Sequence, residues 1–347
     1  MTATAKVSTP AAAPKRRFRI TVSQELILVL AILVISLSVS VLQPRFLEQR
    51  NITDILNNSS YIAVAALGMA LIIISGNIDI SVGQQIAVLA SLGGLLSIGG
   101  ADNLLAAVGI APGGPLTGLL TYTLPILAGV AIGLVNGFIV AYLRVPAIVV
   151  TLGMMSILKG GLIFITGGDV IYNMPNWFKF AQQRIEGVVP IPVLIMIVLT
   201  IVMALWMRYS AGGRAIYAVG GNKEAARLSG ISERAVIMRV FVINGVLIGI
   251  ASLMFATQYN SIQTTTLNGL ELLIITSAVV GGVSILGGTG TVIGATLGAI
   301  LVHVLPPAMV FANISAYWVQ AVQGGLILLT VLADIVRRRR QSFAGRI

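Results

Sequence analysis

The sequence predicts an all-α integral membrane protein of about ten transmembrane helices, in two inverted five-helix halves with broken or re-entrant glycine-rich segments. Three observations carry that prediction. Of 347 residues, 57% are hydrophobic and only 10% are charged, against about 25% charged in a soluble domain. The apolar residues fall in blocks of about 20, the length a helix needs to cross the hydrocarbon and too long for the strands of a barrel. Two glycine-rich stretches, 75–83 and 281–290, interrupt the apolar pattern near membrane depth. The net charge of +11 would suggest nucleic acid in a soluble protein. Here the basic residues gather in a few short polar segments, the pattern that orients a membrane protein, so no nucleic-acid partner is expected. There is no cysteine, which excludes metal–thiolate chemistry.

In chain order, residues 1–24 read as a disordered basic arm with Lys15, Arg16, Arg17 and Arg19. The run at about 25–42 reads as a first span rather than a cleaved leader, and Gln43-Pro44 ends it. Further runs follow at about 56–75, 83–99, 119–142, 147–166, 190–207, 237–258, 271–287, 291–311 and 314–335. The stretch 104–118, broken by Pro112-Gly113-Gly114-Pro115, reads as an external loop. A transmembrane domain over 25–336 then leads into a second basic tail, 337–347, with Arg337 to Arg340 and Arg346. An even number of spans puts both termini on one side, and six spans place the polar segment 208–239 there too. The positive-inside rule makes that side the cytoplasm. Arg45, Arg50, Lys179 and Arg184 fall outside, and Trp177, Phe178 and Phe180 suit a helix lying at the outer interface.

The segment 208–239 carries six Lys/Arg against two Glu between two long apolar runs. Each charge would cost roughly 2.5–3.5 kcal/mol inside the membrane, so the segment protrudes into water. Asn222 is placed to cap a short helix with Glu224 in its first turn; Ala225, Ala226, Arg227 and Leu228 favour helix, and Gly230 suits its stop. Ser232-Glu233 reads as the next start. These local signals fit an ordinary connection or a docking element for another protein.

The two breaks are Ser75-Gly76-Asn77-Ile78-Asp79-Ile80-Ser81-Val82-Gly83 and Gly281 to Gly290. Irregular backbone at membrane depth is tolerated only when buried in protein or lining water. Small residues follow each break at four-residue steps: Gly83, Ala87, Ser91, and Gly290, Gly294, Gly298. Setting Gly83 on Gly290 is the internal similarity behind the two inverted halves; the ladders suit close packing or ligand contact. Asp79 has two readings, a gate in a polar path or a cap on the next helix. With Asp79, the candidates for a translocation path are Asn77, Ser81, Asn136, Lys159, Asn244, Glu271 and Thr276. Lys159 and Glu271 must turn inward, pair or reach water, and Glu271 sits where simple solvation also serves. His303 lacks a second ligand at helical spacing and reads as an interior residue; no metal site is expected. The loop 258–268, with Gln258, Tyr259, Asn260, Thr264 to Thr266 and Asn268, suits an uncharged polyhydroxy solute, a partner carrying one, or an ordinary wet loop. No phosphate loop and no catalytic or metal-ligand constellation is present, so the chain is not expected to be an enzyme, and any ATP would be used by another subunit. An ion-coupled secondary transporter or channel is the competing class, although the membrane acids are few and separated.

Three stretches bear a family resemblance: 75–83 with its glycine–aspartate–serine–glycine signature, Val145-Pro146-Ala147 through Gly153 with Thr166-Gly167-Gly168, and Gly213-Arg214 through Ile231. On them the chain resembles the membrane permeases of bacterial ABC sugar importers, the ribose/arabinose/xylose/galactoside group, over about residues 25–336. The resemblance implies an inner-membrane permease with a second permease copy or homologue, one or more ABC ATPase subunits that bind the ATP and Mg²⁺, and a periplasmic sugar-binding protein. It implies no cofactor on this chain. It also implies that the short helix in 208–239 docks on the ATPase, with Glu224, Ala225, Ala226 and Gly230 as the contact face and Gly213, Arg214, Gly221 and Asn222 as matched positions. Asn77 stands where many such permeases carry a second glycine, which looks closer to the rhamnose-type and autoinducer-2-type branches.

Overall fold

The structure, a computed structural model, describes residues 23–98, 110, 114–185, 189–263, 267, 269–326, 328–330 and 332. Residues 1–22 of the basic arm, the basic tail, Pro112-Gly113 and the loop residues Thr264 to Thr266 and Asn268 lie outside them. The helices are α1 (Gln24–Leu42), α2 (Gln49–Ile74), α3 (Val82–Ser97), α4 (Pro115–Ala141), α5 (Ala147–Thr166), α6 (Ile191–Tyr209), α7 (Ala211–Gly221), α8 (Lys223–Leu228), α9 (Glu233–Gln258), α10 (Leu270–Val280) and α11 (Val292–Phe311). Seven of these are long and apolar enough to cross a membrane: α1, α2, α4, α5, α6, α9 and α11. Three apolar helices are shorter: α3, α10 and Val319–Thr330. The chain is an all-α membrane protein.

The runs expected at 83–99 and 271–287 therefore form helices of 16 and 11 residues. Val283, Ile285 and Leu286 extend the second hydropathy run, but Gly281-Gly282 has already ended the helix. Eleven residues rise about 16 Å, half the hydrocarbon thickness. In the other direction, α2 begins at Gln49 and α9 at Glu233, earlier than their apolar runs. The segment 208–239 is largely helical rather than a loop around one short helix: α7 occupies its first part, capped by Ser210, whose Oγ accepts from Gly213 N at 2.8 Å.

α2 lies at the centre, with every residue from Ser59 to Ile74 buried, as expected of a helix apolar all round. α4 and α9 pack backbone to backbone. A Cβ on Gly129 would land on the carbonyl oxygen of Gly245, and one on Gly245 would land on that of Gly129. Gly133 faces the Phe241 carbonyl and Gly249 the Cα of Ile126 in the same way, while Gly137 packs against the Met238 side chain. This glycine ladder at four-residue steps is close helix packing. Gly294 and Gly298, singled out in the sequence, do the same against Gly281 and Ser277 of α10. Contacts further pair α11 with α2, α3 with α4, α10 with α11, α3 with α9 and α10 with α2. α1 and α5 lie at the periphery.

Two short antiparallel ladders close one end: β1 (Val170–Ile171) with β4 (Ile262–Gln263), and β2 (Arg184–Ile185) with β3 (Val189–Pro190). The expected interfacial helix at Trp177, Phe178 and Phe180 is instead two 3₁₀ turns, Asn176–Phe178 and Phe180–Gln182. Phe178 is drawn into the bundle among Ala90, Leu253 and Ala256, and Tyr122 of α4 donates to the carbonyls of Trp177 and Phe178 at 3.1 Å. Burying that ring outweighs leaving it at an interface.

Candidate translocation and coupling site

Both breaks begin with the same device. After α2, Asn77 N donates to Ile72 O at 3.0 Å and Gly76 N to Ile73 O at 2.9 Å, with Gly76 at φ 84°. After α10, Val283 N donates to Ala278 O at 3.0 Å and Gly282 N to Val279 O at 2.8 Å, with Gly282 at φ 91°. These are Schellman stops, which need a left-handed residue at one position only. Asn77 stands one residue beyond it, so the asparagine there is sterically free; its Nδ2 donates to Ser75 Oγ at 3.1 Å.

Asp79 is 0% exposed. Its Oδ1 accepts from Ser81 N at 2.9 Å and Ser81 Oγ at 2.6 Å; its Oδ2 accepts from Gln85 Nε2 at 3.1 Å and Asn244 Nδ2 at 3.2 Å. Ser81 Oγ accepts in turn from Gln85 Nε2 at 2.8 Å and Asn136 Nδ2 at 3.4 Å. Ile80 N donates to Thr151 Oγ1 of α5 at 3.1 Å. The carboxylate thus holds the start of α3, as the cap reading expects, and also joins it to α9. No Lys or Arg pairs with Asp79 among the described residues; the ion pairs there are Lys223–Glu233 and Arg227–Glu224. Its four donors are neutral, and a carboxylate so satisfied tolerates burial.

Of the path candidates, Asp79, Ser81, Asn136 and Asn244 converge here, with Asn77 at the edge. The others do not. Thr276 Oγ1 donates to Leu272 O of its own helix. Glu271 is half-buried, its Oε2 is buried without a hydrogen-bond partner, and it lies against Gly83 in the first turn of α3, so the carboxyl group is not simply solvated. A negative group there suits the positive end of α3. Lys159 is exposed on the outer face of α5 and forms no pair with Glu271. Gln85 and Thr151 were invisible as members of this cluster in the sequence, because their partners lie 6 and 71 residues away. Of the outer-loop groups, Gln258 and Tyr259 both bond Asn58 of α2. His303 Nδ1 contacts Ala299 O within α11.

The other half of the site is α7–α8. Asn222 Oδ1 accepts from Ala225 N at 3.0 Å and caps α8. Gly230, at φ 79°, ends it with the same Schellman pattern, Ile231 N donating to Ala226 O at 3.0 Å. Glu224 and Arg227 pair at 2.7 Å on its open surface, and Lys223 ties its start to Glu233 at 2.8 Å. Glu224, Ala225 and Gly230 are exposed, whereas Ala226 is buried and packs inward. Leu228, unremarked in the sequence beyond its helix propensity, is 79% exposed. Gly213 is buried against Met207, Arg214 donates to Tyr209 O at 2.9 Å, and Gly221 is open.

α7 connects this knob to the membrane. Its Ile216 and Val219 are fully buried, and Tyr217 Oη donates to Gly290 O, in the second break, at 2.9 Å. Burial raises the Tyr217 phenol above its ordinary range, which keeps the donating proton in place.

A buried polar brace thus sits at one helix break and a capped helical knob at one end of the bundle. Residues 51–331 match the family described as the permease component of the branched-chain amino acid transport system. The chain belongs to that permease family, and it is an ABC transporter permease. It is 35% identical over 304 residues, 87% of its length and 80% of theirs, to the autoinducer 2 import system permease protein LsrC of Yersinia enterocolitica. It is 34% identical over 311 residues, 89% of its length and 86% of the relative's, to LsrC of an Enterobacter species. No solved structure matches the chain.

Proposed function

We propose that this chain forms the translocation path of an ATP-driven importer for a small sugar-like, polyhydroxy solute of the autoinducer-2 kind, and couples to a separate ATPase through α7–α8. The observation that carries the coupling is the exposed, capped α8 joined to α7, which is anchored by its buried Ile216 and Val219. A helix of 6 residues cannot persist alone, so its bracing on both sides suits a surface built to be gripped. The permeases of the relatives are named for autoinducer 2 import, which supports the solute class.

In this reading the seven long and three shorter apolar helices make ten spans in two inverted halves. The contact pattern supports it. α4 packs on α9 as α11 packs on α2, α3 on α4 as α10 on α11, and α3 on α9 as α10 on α2. Each relation exchanges α2, α3 and α4 for α9, α10 and α11. This pairs α3 with α10, the two short helices whose first turns meet at Gly83 and Glu271, rather than setting Gly83 on Gly290. Residues 1–24 and 337–347 are then cytoplasmic and the membrane is the bacterial inner membrane.

α5 faces a second permease copy across the path. α1 and α5 are the two least buried spans. The exposed face of α1 is mostly large and apolar, with Gln24 and Ser38 its polar exceptions, whereas that of α5 carries Lys159 along with Gly153, Ser156, Gly160 and Gly161. A lysine in lipid costs roughly 2.5–3.5 kcal/mol, so that face suits protein and water. ATP and Mg²⁺ reside on the ATPase, and a periplasmic binding protein delivers the solute.

Reconstitution into liposomes with an ABC ATPase and a periplasmic binding protein tests the reading. Uptake that needs ATP and all components is expected. Uptake by this chain alone, driven by an ion gradient, refutes it in favour of a secondary transporter.

A further inference from the structure

Three segments far apart in sequence meet at one point without a side chain between them. Ile74 O, at the end of α2, accepts from Gly288 N of the second break at 2.8 Å. The Cα of Gly220, near the end of α7, is pressed against that same carbonyl: a Cβ there would overlap Ile74 O and lie 2.8 Å from Gly288 N. Gly287 sits between the other two segments, where a Cβ would meet Gly220 O at 2.9 Å and the Cα of Gly76, in the first break, at 3.1 Å. A Cβ on Gly288 would meet the Cα of Gly221 at 2.6 Å. Gly76, Gly287 and Gly288 all take positive φ, at 84°, 82° and 74°. Two residues beyond Gly220, Asn222 caps α8.

We propose that this glycine junction, built from Gly220, Gly287, Gly288 and the Ile74 carbonyl, is the mechanical link by which movement of α8 reaches both membrane breaks at once, with Gly220 as its positioning residue. The proposal rests on the coupling reading above and says where the movement passes. Packed side chains yield by changing rotamer, but backbone atoms in direct contact do not. A shift of α7 along its axis must therefore displace Ile74 O, Gly288, or both. The Asp79 brace follows Ile74 within five residues of chain, and Thr291, which caps α11 by accepting from Gly294 N at 2.9 Å, follows Gly288 within three. Tyr217, bonded to Gly290 O, gives α7 a second hold on the same break.

The test uses the whole assembly of this chain with its ATPase in liposomes. The chain has no cysteine, so Leu286→Cys, at an exposed position in the second break, reports alone on that break. In the otherwise unaltered chain the labelling rate of this thiol should change between the nucleotide-free and the ATP–vanadate-trapped states. Gly220→Ala should abolish that change and lower solute imported per ATP hydrolysed by about tenfold, while the ATPase still co-purifies. Tyr217→Phe, which keeps the packing and removes one hydroxyl, should lower the same ratio by a smaller factor and serves if Gly220→Ala does not fold. Gly118→Ala in α4, whose Cβ meets no heavy atom closer than 4.0 Å, should leave both readouts unchanged. If Gly220→Ala, or failing its folding Tyr217→Phe, keeps full nucleotide-dependent labelling and the normal ratio, the junction is not the link, though coupling through α8 stands. If no ATPase co-purifies with the unaltered chain, the coupling reading falls and the junction with it.

Discussion

Replacing Asp79 by alanine and, separately, by asparagine isolates what its carboxylate organises. Both variants remove the same buried ionisable group, so the cost of burying it cancels in the difference between them. Alanine leaves Ser81 N, Ser81 Oγ and Asn244 Nδ2 without the acceptor they share, whereas Gln85 Nε2 keeps Ser81 Oγ at 2.8 Å. Three buried donors left unpaired, at about 1–3 kcal/mol each, give a loss of about 3–9 kcal/mol. Asparagine keeps an acceptor for Ser81 N. Its new amide donor meets Gln85 and Asn244, whose Oε1 and Oδ1 are buried without partners and can rotate to receive it. Asp79→Asn should therefore melt close to the parent in detergent, followed by tryptophan fluorescence and size-exclusion profile. Asp79→Ala should melt well below both or fail to accumulate as a monodisperse protein. Equal melting of all three would refute the hydrogen-bond argument. Equal damage in both variants would also refute it, by showing that the negative charge itself is what the break requires.

Gly129→Leu forces a side chain into the Gly245 carbonyl and should abolish folded protein, while Gly160→Ala, with open space around it, should melt like the parent; size-exclusion recovery separates them. Asn222→Ala removes the α8 cap at about 1 kcal/mol, so the melting of the bundle should hold while ATP-dependent uptake falls, measured as solute uptake against ATPase rate. Leu228→Glu places a charge on the exposed apolar tip of α8 and should weaken ATPase co-purification without changing melting, which a pull-down and a melting curve check together.

What the sequence showed was chemistry confined to a few neighbouring residues. The cap at Asn222, the stop at Gly230 and the start at Ser232 each depend on residues within a turn or so, and each stands where local reasoning puts it. The membrane class was legible because hydropathy sums over whole segments. α7 was not, since Gly212, Gly213, Gly220 and Gly221 depress helix propensity, yet Ser210 with buried Ile216 and Val219 three residues apart was the signal that would have found it. The length of α10 was hidden because apolar residues continue past the point where the backbone turns, whereas α3, Val82–Ser97, stands close to its apolar run. The membership of Gln85 and Thr151 in the Asp79 brace depends on how α3 and α5 are placed, which no local pattern encodes. The Gly129, Gly133 and Gly137 ladder was present in the sequence, but its partner helix was not.

The α4–α9 seam bears on how such a permease changes shape. At Gly129, Gly133 and Gly245 a carbonyl oxygen of one helix rests on the α-carbon of the other, so this part of the joint has no adjustable filling and behaves as a weld. Welds do not slide, and the welded pair holds together as a single rigid frame. The chain lacks helical stiffness at residues 75–81 and 281–291, so bending that spares the frame falls at those interruptions.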